Sequence, residues 1–243
     1  LSTGIISSCS STSIVAQYGG IKINGSFIYI VAPSTNNIQM CSLNAATGTL
    51  SGCSAITTAG LTGNTASGIA FTTVAGGTFV YITNGSNIKK CTVNTVTGLF
   101  SSCATVLSGY TSLQDIIING SYAYFVDFFT QGVYVCSVNT STGALSGCAI
   151  SGGSLATSVR GLAASGNYIY VANGSGIFSC QINGSTLNTC LVTSVSSTSF
   201  GMATNSGILY AGQGGAQNIS SCTINAATGT LSGCNTSSTI GAT

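Results

Sequence analysis

The sequence has very little charge. Its 243 residues include no His and no Glu, and charged residues make up 2% of the chain, against roughly 25% in ordinary soluble domains. A net charge of +2 provides no basic surface, so we expect no nucleic-acid partner. Without His there is no His-based catalytic triad, and two acids alone cannot enclose a metal. We therefore predict that the chain is not an enzyme and carries no metal or cofactor. The charged residues are Lys22, Lys89, Lys90, Arg160, Asp115 and Asp127.

Long apolar runs and CxxC pairs are absent as well. The longest apolar run, Phe27 to Ala32, has the length of a strand and falls well short of the ~18 residues of a membrane-spanning helix. Zinc sites usually contain CxxC pairs, so the eleven cysteines are interpreted as a disulfide framework formed in an oxidising compartment. We expect an extracellular or cell-surface protein. Because the chain begins at Leu1 and not at Met, we expect a signal peptide to have been removed.

What the sequence does contain is a repeated phrase with two cysteines. CSLNAATGTLSGC runs from Cys41 to Cys53, and CTINAATGTLSGC runs from Cys222 to Cys234. The phrase recurs every 40 to 50 residues, which is the period of a four-stranded propeller blade. We predict a single domain over residues 1–243. Its five repeats span approximately residues 19–56, 66–106, 113–151, 159–193 and 200–237.

Each repeat predicts four short strands. The first is small and apolar, the second alternates around a recurring tyrosine, and the third and fourth each carry one cysteine of the phrase. The predicted fold class is an all-β, five-bladed β-propeller with four antiparallel strands per blade. We expect the tyrosines to pack between blades. They are Tyr29, Tyr81, Tyr124, Tyr170 and Tyr210.

The spacing of the cysteines predicts one disulfide inside each blade. Four phrases separate their cysteines by 12 residues around the turn N-x-x-T-G, and the fourth phrase, CQINGSTLNTC, separates them by 10. An even difference keeps both side chains on one face of a hairpin, within disulfide reach. The predicted pairs are Cys41–Cys53, Cys91–Cys103, Cys136–Cys148, Cys180–Cys190 and Cys222–Cys234.

The repeat resembles a known propeller family. The segment from Tyr170 to Gly174, and Asn225 followed by Thr228 to Leu231, are similar to the YVTN or lactonase-like β-propeller repeat. The resemblance implies a propeller fold, typically with seven blades, whereas this chain has material for five. Enzymes of that family use acidic residues around a metal at the channel. Here only Asp115 is placed on an axis strand, so that activity is not carried over.

Residues 1–12 form one strand more than five blades need. LSTGIISSC, ending at Cys9, matches a fourth strand that has no third-strand partner. It could be a frayed tail with a free thiol, or the trimmed boundary of a longer chain. It could also be exchanged with a neighbouring subunit by β-strand addition, head to tail, with Cys9 as the intersubunit cysteine.

The leading hypothesis is therefore an extracellular structural subunit whose partner is itself, polymerising into a filament or surface layer by strand exchange. The alternative is a secreted carbohydrate-binding adhesin or lectin with repeated blade sites, for which glycans would be partners. No membrane span is expected. Three interpretations concern charged groups: Asp115 and Arg160 form an ion pair at the channel mouth, Asp127 shapes a turn, and Lys89 and Lys90 lie on a solvated edge that deters wrong pairing.

Overall fold

The structure, a computed structural model, is all-β throughout its described residues. These residues are 19–32, 36–57, 61, 66–130, 132–152, 155, 158–174, 176–195, 199–213 and 218–236. They contain twenty strands arranged in five four-stranded sheets, each sheet made from four consecutive strands. The predicted five-bladed β-propeller is thereby confirmed. Residues 1–12, including Cys9, lie outside the described part.

The strands follow the chain in order, and the fourth strand of every blade lies at the edge of its sheet. Blades 1 and 2 contain β1 (Ile21–Asn24), β2 (Phe27–Ala32), β3 (Asn37–Leu43), β4 (Leu50–Ile56), β5 (Ala66–Val74), β6 (Gly77–Asn84), β7 (Asn87–Val93) and β8 (Phe100–Leu107). Blade 3 contains β9 (Leu113–Asn119), β10 (Tyr122–Asp127), β11 (Val133–Val138) and β12 (Leu145–Ser151). Blades 4 and 5 contain β13 (Gly161–Ser165), β14 (Tyr168–Asn173), β15 (Gly176–Asn183), β16 (Thr186–Thr193), β17 (Ser199–Asn205), β18 (Ile208–Gln213), β19 (Asn218–Ile224) and β20 (Leu231–Thr236).

The N-x-x-T-G turn closes the hairpin between the third and fourth strands. In blade 1 the side-chain oxygen of Asn44 accepts hydrogen bonds from the backbone amides of Ala46 and Thr47, at 3.0 and 3.2 Å. Gly48 then donates to the Asn44 carbonyl at 2.7 Å from a left-handed conformation, with φ at +72°. This conformation favours glycine. The same side-chain bonds are made by Asn94, Asn139 and Asn225.

One extra residue in the fourth strand brings the two cysteines together. The turn fixes the pairs Leu43 with Leu50 and Ser42 with Ser51, a register that would place Cys41 opposite Gly52. Gly52 adopts φ +58°, and beyond it Met40 pairs with Ser54. This is a β-bulge, which inserts one residue on one strand. The even number of residues between the cysteines therefore does not by itself explain why they pair, because the bulge is also needed. The same register shift precedes the second cysteine in blades 2, 4 and 5.

Each blade contains the disulfide that the phrase predicts. All five join the third strand to the fourth, with Cα atoms 4.1 Å apart. The first cysteine of every pair is buried. The bonded pairs are Cys41–Cys53, Cys91–Cys103, Cys136–Cys148, Cys180–Cys190 and Cys222–Cys234.

The chain divides into two compact units. One holds the described residues up to Phe125 together with Cys136–Cys148, and the other holds Val126–Val135 and the described residues from Ala149 onward. In the first unit, the core cluster lies between blades 1 and 2 and includes Tyr29 and Ile69. In the second unit, an equivalent cluster lies between blades 4 and 5. Apolar packing between consecutive blades therefore builds the core of each unit.

Candidate functional site: the junctions between consecutive blades

The central tyrosine of the second strand contacts the N-x-x-T-G turn of the next blade. The Tyr29 hydroxyl donates a hydrogen bond of 2.9 Å to the carbonyl oxygen of Gly98. Its ring lies 5.2 Å from the ring of Phe100 and 4.8 Å from that of Phe71, measured between centroids. We call this arrangement of tyrosine and turn a blade junction. It joins aromatic packing to one directional hydrogen bond.

The blade junction recurs within both units. Tyr81 of blade 2 donates to the carbonyl of Gly143 in blade 3. Tyr170 of blade 4 donates to the carbonyl of Gly229 in blade 5 at 3.1 Å. Beside the latter, the Tyr168 hydroxyl donates to Ala227 at 2.7 Å. Three pairs of consecutive blades therefore use the same contact.

The glycine of the turn is required for this close approach. A Cβ atom on Gly98 would lie 2.5 Å from the Met40 sulfur and 3.0 Å from the Tyr29 hydroxyl. On Gly143 it would lie 2.7 Å from the ring of Phe79. These are distances that real Cβ atoms do not adopt. The repeated phrase thus serves two purposes in this chain, since its glycine both turns the hairpin and leaves room for the neighbouring ring.

Burial controls the chemistry of the junction tyrosines. Tyr29, Tyr81, Tyr124 and Tyr170 have no exposed surface. The packing between blades expected for the tyrosines is confirmed at Tyr29, Tyr81 and Tyr170, whose hydroxyls each bond to the next blade. Desolvation raises the pKa of all four buried tyrosines to about 12, because burial disfavours the charged phenolate. All four hydroxyls are therefore protonated donors at physiological pH. Rings buried in this way are closed to stacking against a sugar.

Tyr124 differs from the other buried tyrosines. Among the described residues, its hydroxyl has no hydrogen-bond partner although it is buried. In the chain, the repeat after that of Tyr124 is the fourth, which has Asn183-Gly184-Ser185 in place of the N-x-x-T-G turn. Along the sequence, the shortened phrase therefore comes one repeat after the tyrosine whose buried hydroxyl has no partner among the described residues. Buried hydroxyls without partners are rare because they lose hydration without compensation.

Lys90 stabilises the junction between blades 2 and 3. Its ammonium group donates to the carbonyl of Thr142 at 2.6 Å and lies 4.1 Å from the centroid of the Phe79 ring. Its strand, β7, is paired on both sides by β6 and β8. The interpretation of Lys89 and Lys90 as edge residues is therefore wrong. Sequence alone could not show that the aliphatic part of Lys90 crosses to the turn of another blade.

The other charged residues have local roles. The Asp127 carboxylate accepts a hydrogen bond from the Phe129 amide at 3.1 Å, which confirms its role in a turn. Asp115 accepts from the Ile116 amide at 2.8 Å. The guanidinium of Arg160 lies 4.9 Å from the centroid of the Phe128 ring. The ion pair of Asp115 with Arg160 stays a prediction.

The first blade has an apolar face that resembles the junction face of blade 2. Ile21 pairs with Ile30, and Ile23 pairs with Ile28, so the four side chains share one face, which we call the first-blade face. The exposed fractions of Ile21 and Ile23 are 55% and 60%. In the N-x-x-T-G turn of this blade, a Cβ atom on Gly48 would have no atom within 4 Å. The first blade thus presents the turn half of a blade junction. Ile28 and Ile30 are buried, so the part of this turn half that is open to solvent is the first strand and the turn.

The last blade presents the tyrosine half. Tyr210 pairs with Ala203 on one side and Ser221 on the other, and these three residues form what we call the last-blade face. In blade 4, Tyr170 pairs in the same way with Ala163 and Ser179. Those three are buried in the junction with blade 5. By contrast, Ala203 is exposed, and Tyr210 and Ser221 are partly exposed.

Comparisons with solved structures identify the fold. The chain matches the nidogen/laminin complex (12% identity, TM-score 0.66, 90% of this chain and 79% of that chain) and a protein from Lactobacillus plantarum (15%, 0.63, 88% and 69%). It also matches the PQQ-bound aldose sugar dehydrogenase of Streptomyces coelicolor (11%, 0.64, 91% and 81%). The chain has the fold of the YVTN- and NHL-like β-propellers.

The propeller likeness is one of fold alone at these identities. No family model matches the chain, and no curated protein matches it. Since the propellers it matches include an enzyme, the fold does not assign or remove an activity. Within the described residues there is no group of three metal-ligating side chains and no helix with the length and hydropathy of a membrane span. A propeller with five disulfides is typical of an extracellular protein.

Proposed function

We propose that this propeller is a non-catalytic extracellular structural subunit that assembles head to tail with copies of itself through β-strand addition. The observation that carries the proposal is the composition of the blade edges. Each fourth strand lies at the edge of its sheet, and none of the five contains a charged residue or a proline. Their sequences are LSGCSAI, FSSCATVL, LSGCAIS, TLNTCLVT and LSGCNT.

Such edges are unusual in proteins that remain monomeric. Natural edge strands are commonly protected by Lys, by proline or by inward-pointing charge, because an unprotected edge pairs with another chain. Of the protective features of natural edges, the register shift before the second cysteine is present here in blades 1, 2, 4 and 5. The low charge of the whole chain also leaves little like-charge repulsion between subunits. Both features favour strand addition between copies.

The proposed donor is the segment 1–12, and Cys9 is the proposed covalent link. Ten of the eleven cysteines are paired within blades. Deletion of residues 1–12 is expected to abolish polymers, and Cys9→Ser is expected to remove only their resistance to denaturant. Non-reducing electrophoresis of the assembled protein measures both. Polymers that persist in full after the deletion would exclude the N-terminal segment as the donor.

A charge placed on an acceptor edge gives an independent test. Ser232 lies on β20 with an exposed side chain, and Ser232→Lys is expected to reduce strand addition because an edge lysine opposes pairing. Ala226→Lys adds the same charge to the exposed turn of the same blade and serves as the matched control. Equal polymer yields from the two variants would argue against β20 as an acceptor.

A further inference from the structure

We propose that the first-blade face of one copy binds the last-blade face of another, reproducing between copies the blade junction that joins blades 4 and 5 within the chain. The inference rests on the proposed self-assembly and assigns it a second contact, distinct from strand addition. Its partner is a second copy of this chain.

The tyrosine half of the contact repeats three central residues of the internal junction, although Tyr168, which also contacts blade 5, has Ile208 as its counterpart. Blade 4 presents Ala163, Tyr170 and Ser179 to blade 5, and all three are buried there. At the corresponding positions, blade 5 presents Ala203, Tyr210 and Ser221, which are the same three residue types. Among the described residues, the Tyr210 hydroxyl makes no hydrogen bond, whereas that of Tyr170 is bonded to Gly229.

The turn half repeats the internal junction as well. The segment that receives Tyr170 in blade 5 is NAATGTLSGC, from Asn225 to Cys234, and blade 1 carries the identical segment from Asn44 to Cys53. The two turns have the same side-chain hydrogen bonds and nearly the same glycine φ, +72° at Gly48 and +68° at Gly229. Gly229 is packed against the ring of Tyr168, whereas Gly48 has open space around it.

The apolar surface beside the turn matches an internal face too. In blade 2, the face that meets Tyr29 is formed by Ile69 with Ile82 and by Phe71 with Val80. The corresponding residues of blade 1 are Ile21, Ile30, Ile23 and Ile28. The exposed fraction of Ile69 is 0%, against 55% for its counterpart Ile21. Ile28 and Ile30 are already buried, so covering the first-blade face would remove chiefly the side chains of Ile21 and Ile23 from water.

The two halves are different surfaces, so the contact is head to tail and leaves one free half at each end of any oligomer. An oligomer grown in this way stays open unless its rotation closes a ring. No charged residue lies on either face as defined, so salt should change this association little.

A pair of blocked variants tests the contact in the full-length chain carrying Cys9→Ser. Ile23→Lys blocks the first-blade face, and Ala203→Lys blocks the last-blade face. Both positions are exposed in the single chain, so each lysine is tolerated in the fold, which circular dichroism checks. Val96→Lys is the matched control, since Val96 is 85% exposed and lies on neither face.

Sedimentation velocity over about two decades of concentration around micromolar gives the readout. We expect Val96→Lys to self-associate like the parent, and each blocked variant alone to associate at least about tenfold more weakly because a charge is trapped in an apolar contact. An equimolar mixture of the two blocked variants should associate more strongly than either variant alone, because each supplies the half that the other lacks.

Three results would overturn the contact. They are self-association of the blocked variants equal to that of Val96→Lys, a mixture that associates no more strongly than either variant alone, and a parent chain that is monomeric at every concentration. Deletion of residues 1–12 separates this contact from strand addition. If polymers are lost on that deletion while Ile23→Lys has no effect, the proposed function stands and the second contact fails.

Discussion

At the scale of single residues, the backbone of the bulge predicts a stabilising substitution. The residue before the second cysteine is left-handed in blades 1, 2, 3 and 5, and in blade 2 it is Ser102, with φ +51°. A non-glycine residue in this region costs roughly 1–2 kcal/mol, partly offset by the greater freedom of glycine in the unfolded chain. Ser102→Gly should therefore raise the free energy of unfolding by about 0.5–1 kcal/mol.

Chemical denaturation measures this change, with Ser101→Gly as the control. Ser101 neighbours Ser102 in the same edge strand and is equally exposed, but its φ is not positive. Ser101→Gly should lower the free energy of unfolding by about 0.5–1 kcal/mol. Two variants that shift stability in the same direction would refute the assignment of strain to Ser102.

The junction hydroxyls predict opposite effects for two similar substitutions. Tyr81→Phe leaves the buried carbonyl of Gly143 without its donor, so the free energy of unfolding should fall by about 1–3 kcal/mol. Tyr124→Phe removes a buried hydroxyl that has no partner among the described residues, so stability should be unchanged or higher by about 1 kcal/mol. Denaturant titration compares them. A larger loss for Tyr124→Phe would contradict the account of the junction.

The same tyrosines predict a loss of stability in alkali. In the folded chain, the pKa of Tyr29, Tyr81, Tyr124 and Tyr170 is raised from 10.0 to about 12. Since folding favours their neutral form, their contribution is complete below pH 10 and is lost as the pH rises from 10 through 12. Denaturation midpoints across this range, followed with tyrosinate absorbance, should fall together as the phenolates form. A midpoint independent of pH up to 12 would contradict the burial of these hydroxyls.

At the scale of the hairpin, exposure predicts the order in which the disulfides are reduced. The second cysteine is exposed in blades 1 and 5, at Cys53 and Cys234, and partly buried in the other three blades. Thiol–disulfide exchange requires access to a sulfur atom. Under limiting reductant, alkylation and peptide mass mapping should detect these two bonds opening first. Earlier opening of Cys91–Cys103 would show that local exposure does not govern the reaction.

The hairpins also show which features of this chain can be predicted from sequence and which cannot. The strands, the Asn-capped turns and the five disulfides follow from local patterns within about a dozen residues. The bulge at Gly52 could not be predicted in this way. The alternation of side chains does not distinguish a hairpin in which Cys41 lies opposite Gly52 from one in which it lies opposite Cys53. The contact of Tyr29 with Gly98 spans 69 positions and depends on how two blades pack. The two identical segments NAATGTLSGC can be recognised in the sequence, but the tyrosine of the neighbouring blade that contacts the turn cannot.

At the scale of the whole molecule, one chain exposes two complementary halves of a contact that it already forms three times internally. It also exposes edge strands without charge or proline. Solubility in such a chain depends on hydroxyl and amide groups, which hydrate a surface without repelling its copies. Both observations favour association of like subunits in one direction.

Electron microscopy of the full-length protein, concentrated without reductant, tests head-to-tail assembly most directly. We predict continuous threads in which propeller subunits repeat at one spacing, shortened by Ile23→Lys and absent after deletion of residues 1–12. Fields of separate, single propellers at every concentration would contradict it.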